Sequence, residues 1–463
     1  MKSIFPILFL FLLLGCSVEK EDNRVSRFDE YLSGQARHFN FNGNVLVAER
    51  GEIIFQKSFG LADFDSNRQL NDSSVFELAS VSKQFTAMGI LLLEQKGLLS
   101  LQDSLRKFFP ELPYSGITIH HMLTHISGLP DYMDIMRAKW DRTRIAGNAD
   151  IVTLLAQEKP EVHFKPGTKW EYSNTAYALL AIIIEKVSGQ SFKSYMHENI
   201  FAPLGMSHTR VYNTRRSGER IENYAFGYVW SDSLNRHVLP DSVPDLDFVR
   251  YLDGIQGDGI INSTTADLLK WQRAIANKDR LPATAINKLL QRHSLADTTS
   301  NTFYGYGVML EDSEHGELVA HSGGWPGYTT NLAWYADQDI TVIVLSNNNA
   351  PSPRLSDALA GIVHGDSIAM PYEHIPVQLD NDQLTRFEGK YEYRGQSFEL
   401  KVENDSLFQF IGGRRRLHMI PESETRLFAG NKRDFQFELQ IDEDGTRKPV
   451  VILYGVRGEA HLN

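Results

Sequence analysis

The sequence predicts an α+β fold, an antiparallel sheet flanked by helices, followed by a small C-terminal all-β barrel or sandwich. Three observations carry this. Residues 43–48 and 52–56 are strand-like runs joined by Glu49-Arg50-Gly51, which reads as a β-hairpin with a glycine turn. Residues 304–310, 318–322 and 331–335 continuing after a turn into 340–345 read as an antiparallel meander. Beyond Met370 the pattern changes to short alternating runs at 389–393, 397–402, 407–411, 417–420, 435–441 and 450–454, with turn residues between them.

Composition sets the outer limits. The chain has 463 residues, 42% hydrophobic and 11% aromatic, enough for one large or two ordinary domains with real cores. A formal net charge of −11 argues against a nucleic-acid partner, because phosphate binding needs a cationic surface. The local run Arg414-Arg415-Arg416 reads as a solvated hairpin face.

The first residues set the compartment. Met1-Lys2 supplies a positive start, residues 4–14 are almost wholly apolar, and Leu13-Leu14-Gly15-Cys16 follows. That run is too short for a permanent membrane span and fits a secretory signal. Its ending resembles a bacterial lipobox, which implies cleavage before Cys16 and lipidation of its thiol. Cys16 is the single cysteine, so no disulfide can form within the chain. The expected organisation is a lipoprotein signal peptide at 1–15 and a polar tether at 16–24. A main domain at 25–370, a proline-containing linker at 371–382 and a β domain at 383–463 follow. An exported, lipid-anchored protein of the cell envelope, periplasmic or surface-exposed, is the expectation.

Along the main domain, residues 27–39 read as an amphipathic opening helix. Ser80-Val81-Ser82-Lys83 then reads as the start of a helix that ends near Gly97, buried by the apolar residues Ala87 to Leu93. A serine hydroxyl is a poor nucleophile at neutral pH, and a lysine one turn away on the same face is a base that could activate it. His121 and His125 are four apart, as in a zinc pair, but the position where the metalloprotease pattern needs glutamate is Met122. No metal and no cofactor is expected, and the two histidines are expected to hydrogen-bond loop backbone. Tyr172-Ser173-Asn174 stands on a loop at the start of an apolar helix over 175–187, closed by Gly189. Residues 253–261 hold three glycines that allow close backbone approach, and Thr264 and Asp267 have the capping-box spacing. His321-Ser322-Gly323-Gly324 ends one strand of the meander.

Taken in order, Ser80-x-x-Lys83, Tyr172-x-Asn174 and His321-Ser322-Gly323 resemble the three active-site motifs of the serine β-lactamase and penicillin-binding (DD-peptidase) superfamily. The likeness is closest to the branch of class C β-lactamases, esterases and D-aminopeptidases. It spans about residues 25–365, including His125-Ile126-Ser127-Gly128-Leu129-Pro130, Pro166-Gly167-Thr168 and Pro203-Leu204-Gly205-Met206. The resemblance implies a β-lactamase/transpeptidase-like fold with an all-helical region. It also implies that Ser80 is acylated while Lys83 and Tyr172 share its proton. A tyrosine needs a cationic neighbour to act as a base at neutral pH, and Lys83 could supply it. Asn174 is implied as a hydrogen-bond partner of the lysine amine or the substrate amide. The N–H groups of Ser80 and Gly324 are implied as the oxyanion hole. Gly323 is expected to keep the strand open so that substrate can lie along it.

His321 departs from the penicillin-directed enzymes, many of which place a lysine there. A histidine, largely neutral at pH 7, is a weaker anchor for a substrate carboxylate, which favours small-molecule ester or peptide substrates over β-lactams. A cell-wall DD-carboxypeptidase or β-lactamase, and a slowly deacylating penicillin-binding sensor or scaffold, remain as alternatives.

Overall fold

The structure is a computed structural model that describes residues 23–430, 433–441 and 447–462. The expected signal peptide, Cys16 and most of the expected tether lie outside the described residues.

The opening helix runs Asn23–Phe39, and the hairpin is Gly43–Glu49 with Glu52–Phe59. The first hairpin strand pairs antiparallel with Ile340–Ser346, Val45 opposite Val344, so the start of the chain joins the last strand of the meander. Outward from there lie Tyr328–Tyr335, Gly316–Trp325, Met309–Ser313, Thr302–Tyr304 and Ser294–Asp297, an eight-stranded antiparallel sheet. Side chains alternate across it. Val45, Val47, Val342 and Val344 pack on one face with the helices Asn23–Phe39 and Ser352–His364. Leu46, Ala48, Ile343 and Leu345 pack on the other with Lys83–Gln95, Asn174–Ser188 and Thr265–Asn277.

The single strand expected over 304–310 is interrupted. Gly305 N–H bonds the Val308 carbonyl, closing a tight loop between Thr302–Tyr304 and Met309–Ser313. That loop presses on the helix bearing Lys83, where a Cβ on Gly307 would lie 2.7 Å from the backbone of Gln84.

The C-terminal part is a barrel rather than a sandwich. Among the described residues it has nine strands in one sheet, three more than the runs read from sequence, the additions being Arg426–Ala429, Val456–Glu459 and His461–Leu462. Val456–Glu459 pairs with Arg447–Leu453, and His461–Leu462 pairs with Gly389–Tyr393, so one short stretch touches both edges and nearly closes the sheet. Its core, including Tyr391, Phe398, Met419, Phe437 and Val451, is separate from the two cores of the main sheet. The opening helix ties the parts together: Tyr31 Oη donates to the Tyr454 carbonyl at 2.8 Å, and Gln35 Nε2 donates to Asp434 Oδ2 at 2.5 Å.

Separate cores should melt separately. Phe437, fully buried in the barrel, is expected to cost about 3–5 kcal/mol when changed to alanine. Calorimetry should show one transition moving and the other unchanged; a shift of both would show that the two parts unfold as one.

Candidate active site

The turn that carries Ser80 is held by strands distant in sequence. Leu78 N–H bonds the Ile261 carbonyl at 2.8 Å, and the Leu78 carbonyl accepts from Thr330 Oγ1 at 2.7 Å. Ala79 adopts φ +47°, a strained left-handed conformation for a residue with a side chain. A 3₁₀ turn, Ala79–Ser82, follows and leads into the α-helix Lys83–Gln95. One 3₁₀ turn therefore separates Ser80 from Lys83, and eclipsing at i, i+3 sets their side chains side by side.

Lys83 is fully buried. Its Nζ donates to Ser80 Oγ at 3.0 Å, Asn174 Oδ1 at 2.9 Å and the Asp258 carbonyl at 2.7 Å, which uses every N–H of an ammonium. The same nitrogen lies 4.8 Å from the centroid of the Tyr172 ring. The serine, the lysine, the tyrosine and the asparagine, drawn from two motifs about ninety residues apart, thus meet around one amine.

Tyr172 and Asn174 are placed by the loop before the helix Asn174–Ser188. The Ser173 side chain caps that helix by accepting from Ala176 N–H, while Ser173 N–H itself donates to His125 Nδ1 at 3.0 Å. His125 packs under Tyr172 with ring centroids 4.3 Å apart, and burial drives its pKa well down. His121 Nδ1 accepts from Thr118 N–H. Both histidines of the apparent pair thus bond backbone.

His321 is buried, accepts at Nε2 from Tyr304 Oη at 3.1 Å and donates from Nδ1 to the Ser322 carbonyl at 2.7 Å. Burial, with the Lys83 charge adding to it, lowers its pKa to about 4. At neutral pH it carries no charge and its lone pair is already taken.

Gly323 meets a different neighbour from the one expected. A Cβ there would lie 2.2 Å from the Leu78 carbonyl oxygen and 2.4 Å from Thr330 Oγ1, so the bare glycine lets the Ser80 turn lie against the strand. At Gly324 a Cβ would meet nothing within 4 Å. Ser80, Asn174 and Gly324 all line one cavity of about 70 Å³. Its other walls include Glu77, Tyr132, Asp258 and Trp325, and none of its lining residues is a lysine or arginine. Burial, with Asp253 adding to it, raises the Glu77 pKa to about 8.

Asp258 and Tyr132 went unread in the sequence. Tyr132 Oη donates to Asp258 Oδ2 at 2.9 Å, fixing the residue whose carbonyl holds Lys83. The signal that could have found Asp258 was the neighbouring glycine: Gly257 has φ +101°, and a Cβ on it would clash at 2.6 Å with Ala181 and the Tyr177 carbonyl.

The family model described as Beta-lactamase matches residues 35–365. A penicillin-binding protein of Bacillus subtilis is 41% identical over 432 residues, covering 91% of this chain and 94% of that protein. Among solved structures, the octameric penicillin-binding protein homologue from Pyrococcus abyssi is similar with TM-score 0.67 and 25% identity, over 94% of this chain and all of that one. D-amino acid amidase from Ochrobactrum anthropi, solved with L-phenylalanine, is similar with TM-score 0.61 and 25% identity, over 74% of this chain and 97% of that one.

Two outcomes follow from the geometry. Gly323→Ala pushes a methyl against a backbone carbonyl that cannot swing away, so it should lose about 1–3 kcal/mol of stability in urea denaturation together with most reactivity at Ser80. A variant of native stability and reactivity would contradict that contact. The unfolded chain takes up a proton at His321 below its ordinary pKa of 6.5 while the folded chain does not until about pH 4. Wild type should therefore lose stability relative to His321→Asn as the pH falls from 6.5 towards 4, and the two Tm curves should run parallel above 6.5. Parallel curves throughout would mean that His321 titrates normally.

Proposed function

The chain belongs to the beta-lactamase family, and from that premise we propose that this serine hydrolase is exported, lipid-anchored through Cys16, and cleaves an ester or amide bond of a small-molecule or peptide substrate through a Ser80 acyl-enzyme. The observation that carries the chemistry is the set of three hydrogen bonds at Lys83 Nζ. Asn174 Oδ1 and the Asp258 carbonyl hold two N–H groups of the amine. In its neutral form the lone pair is left to face the Ser80 hydroxyl and take its proton as Oγ attacks the carbonyl carbon.

The N–H groups of Ser80 and Gly324, two residues that line the cavity, receive the charge that develops on the carbonyl oxygen, a contribution of about 3 kcal/mol per donor. Tyr172, beside the same amine, gives its hydroxyl proton to the leaving group and regains one from the Lys83 ammonium, which restores the neutral amine. Collapse of the tetrahedral intermediate expels an alcohol or amine and leaves Ser80 acylated. Water then enters by the same route and releases the acid.

The cavity wall supports ester and amide substrates over β-lactams. A β-lactam carries a carboxylate, whereas His321 is neutral and no lysine or arginine lines the cavity. The second reading, a DD-carboxypeptidase or β-lactamase, is favoured by the Bacillus relative named for penicillin binding. Rates on p-nitrophenyl esters and on nitrocefin, measured on the same preparation, divide the two: faster ester turnover is expected, and a nitrocefin rate above the ester rate would reverse the order.

Ser80→Ala should abolish hydrolysis of whichever substrate is turned over. Tyr172→Phe should lower kcat by roughly 100-fold as a lost proton carrier. Undiminished turnover in the first variant would remove Ser80 as the nucleophile, and a near-normal rate in the second would assign the proton transfer to another group.

A further inference from the structure

Apart from the catalytic cavity, a cleft of about 860 Å³ opens where the mouth of the C-terminal barrel faces the main domain. That volume falls in the range of small-molecule sites, roughly 300–1,000 Å³. Phe398, Leu417 and Phe435 form its apolar floor at the barrel mouth, and Trp230, 46% exposed, stands on the opposite wall.

Three polar side chains of the cleft, Gln409, Tyr393 and Arg433, make no hydrogen bond among the described residues. Gln409 is 5% exposed, sits on a strand opposite Leu400 and Leu417, and its side chain makes no hydrogen bond among the described residues. Its amide therefore opens on the cleft, where a ligand can reach it. The Tyr393 hydroxyl, also on the cleft wall, is shielded from solvent and has no hydrogen-bond partner. Arg433 lines the same space and makes no side-chain hydrogen bond or ion pair among the described residues, while Arg354 keeps only a 3.6 Å contact to Asp357. The acid on the wall, Asp232, is engaged by the Trp230 indole N–H at 3.0 Å. The unengaged charge is positive.

We propose that this cleft is a second binding site, separate from Ser80, for a small molecule with an apolar or aromatic body and one carboxylate. The body lies on Phe398, Leu417 and Phe435, the carboxylate meets Arg433 and Arg354, and Gln409 and Tyr393 hydrogen-bond the polar atoms next to it. An aliphatic carboxylate and an N-acylated aromatic amino acid share this chemistry.

The test is calorimetric titration of the full chain with decanoate and, separately, with N-acetylphenylalanine, followed in parallel by tryptophan fluorescence. Saturable binding of at least one is expected, and which one saturates identifies the source. Arg433→Gln should weaken it by about tenfold through loss of a charge-assisted hydrogen bond. Gln409→Leu should also weaken binding, because it removes a hydrogen-bonding group from the cleft wall. Trp230→Phe should abolish the fluorescence change, and Ser80→Ala should bind as wild type does. No saturation by either probe into the millimolar range would overturn the proposal. So would equal binding of decanol, affinity unchanged in both the Arg433 and Gln409 variants, or binding lost in Ser80→Ala.

Discussion

The amine of Lys83 lies in a fully buried position where an unpaired charge would not be tolerated, and three acceptors from three parts of the chain surround it. Much of the main domain can be read as what is needed to bring those acceptors together. Ser80 arrives on a strained turn clamped by Thr330 and Ile261, Asn174 on the first residue of a capped helix, and the Asp258 carbonyl on a loop seated against Tyr177 and Ala181. Each holds a rigid element rather than a loose side chain, so the amine meets a fixed geometry and little reorganisation is left for the reaction itself.

The sheet contributes closeness of approach. Its strand Gly316–Trp325 passes so near the Ser80 turn that Gly323 has no room for a Cβ, and the next residue, Gly324, faces the cavity unobstructed. His321, two residues earlier on the same strand, is kept neutral by burial and by Lys83, with both ring nitrogens occupied by Tyr304 and the Ser322 carbonyl. The strand that carries Gly323 and Gly324 thus holds a packed, uncharged histidine, and the titratable groups lining the cavity are Glu77, Tyr132 and Asp258.

The parts of this arrangement that were legible in the sequence are those carried by side-chain identity and short spacing. Ser80 and Lys83 three apart, Tyr172 and Asn174 at a helix start, and the Gly323-Gly324 strand end could all be picked out before any fold was known, as could the hairpin and the meander. What escaped was carried by backbone. A carbonyl contact such as that of Asp258 leaves no trace in residue type, and only the glycine beside it marked the place. The loop that splits residues 304–310 is set by packing against the helix of Lys83, which periodicity along one strand cannot register. In the barrel, Arg426–Ala429 and the last two strands are two to four residues long, too short for alternation to stand out.

The barrel closes by letting one terminal stretch pair with both edges of its sheet, and it docks on the opening helix through Tyr31 and Gln35. None of the residues that line the Ser80 cavity comes from it. The most direct measurement is rapid-quench trapping of the wild-type chain with p-nitrophenyl acetate, followed by peptide mapping of the acetylated residue by mass spectrometry. A transient acetyl group on the peptide that contains Ser80, forming and decaying at the rate of turnover, is the predicted result. Turnover with the acetyl group on another residue, or with no covalent species at any time point, would contradict an amine-activated serine at the centre of this fold.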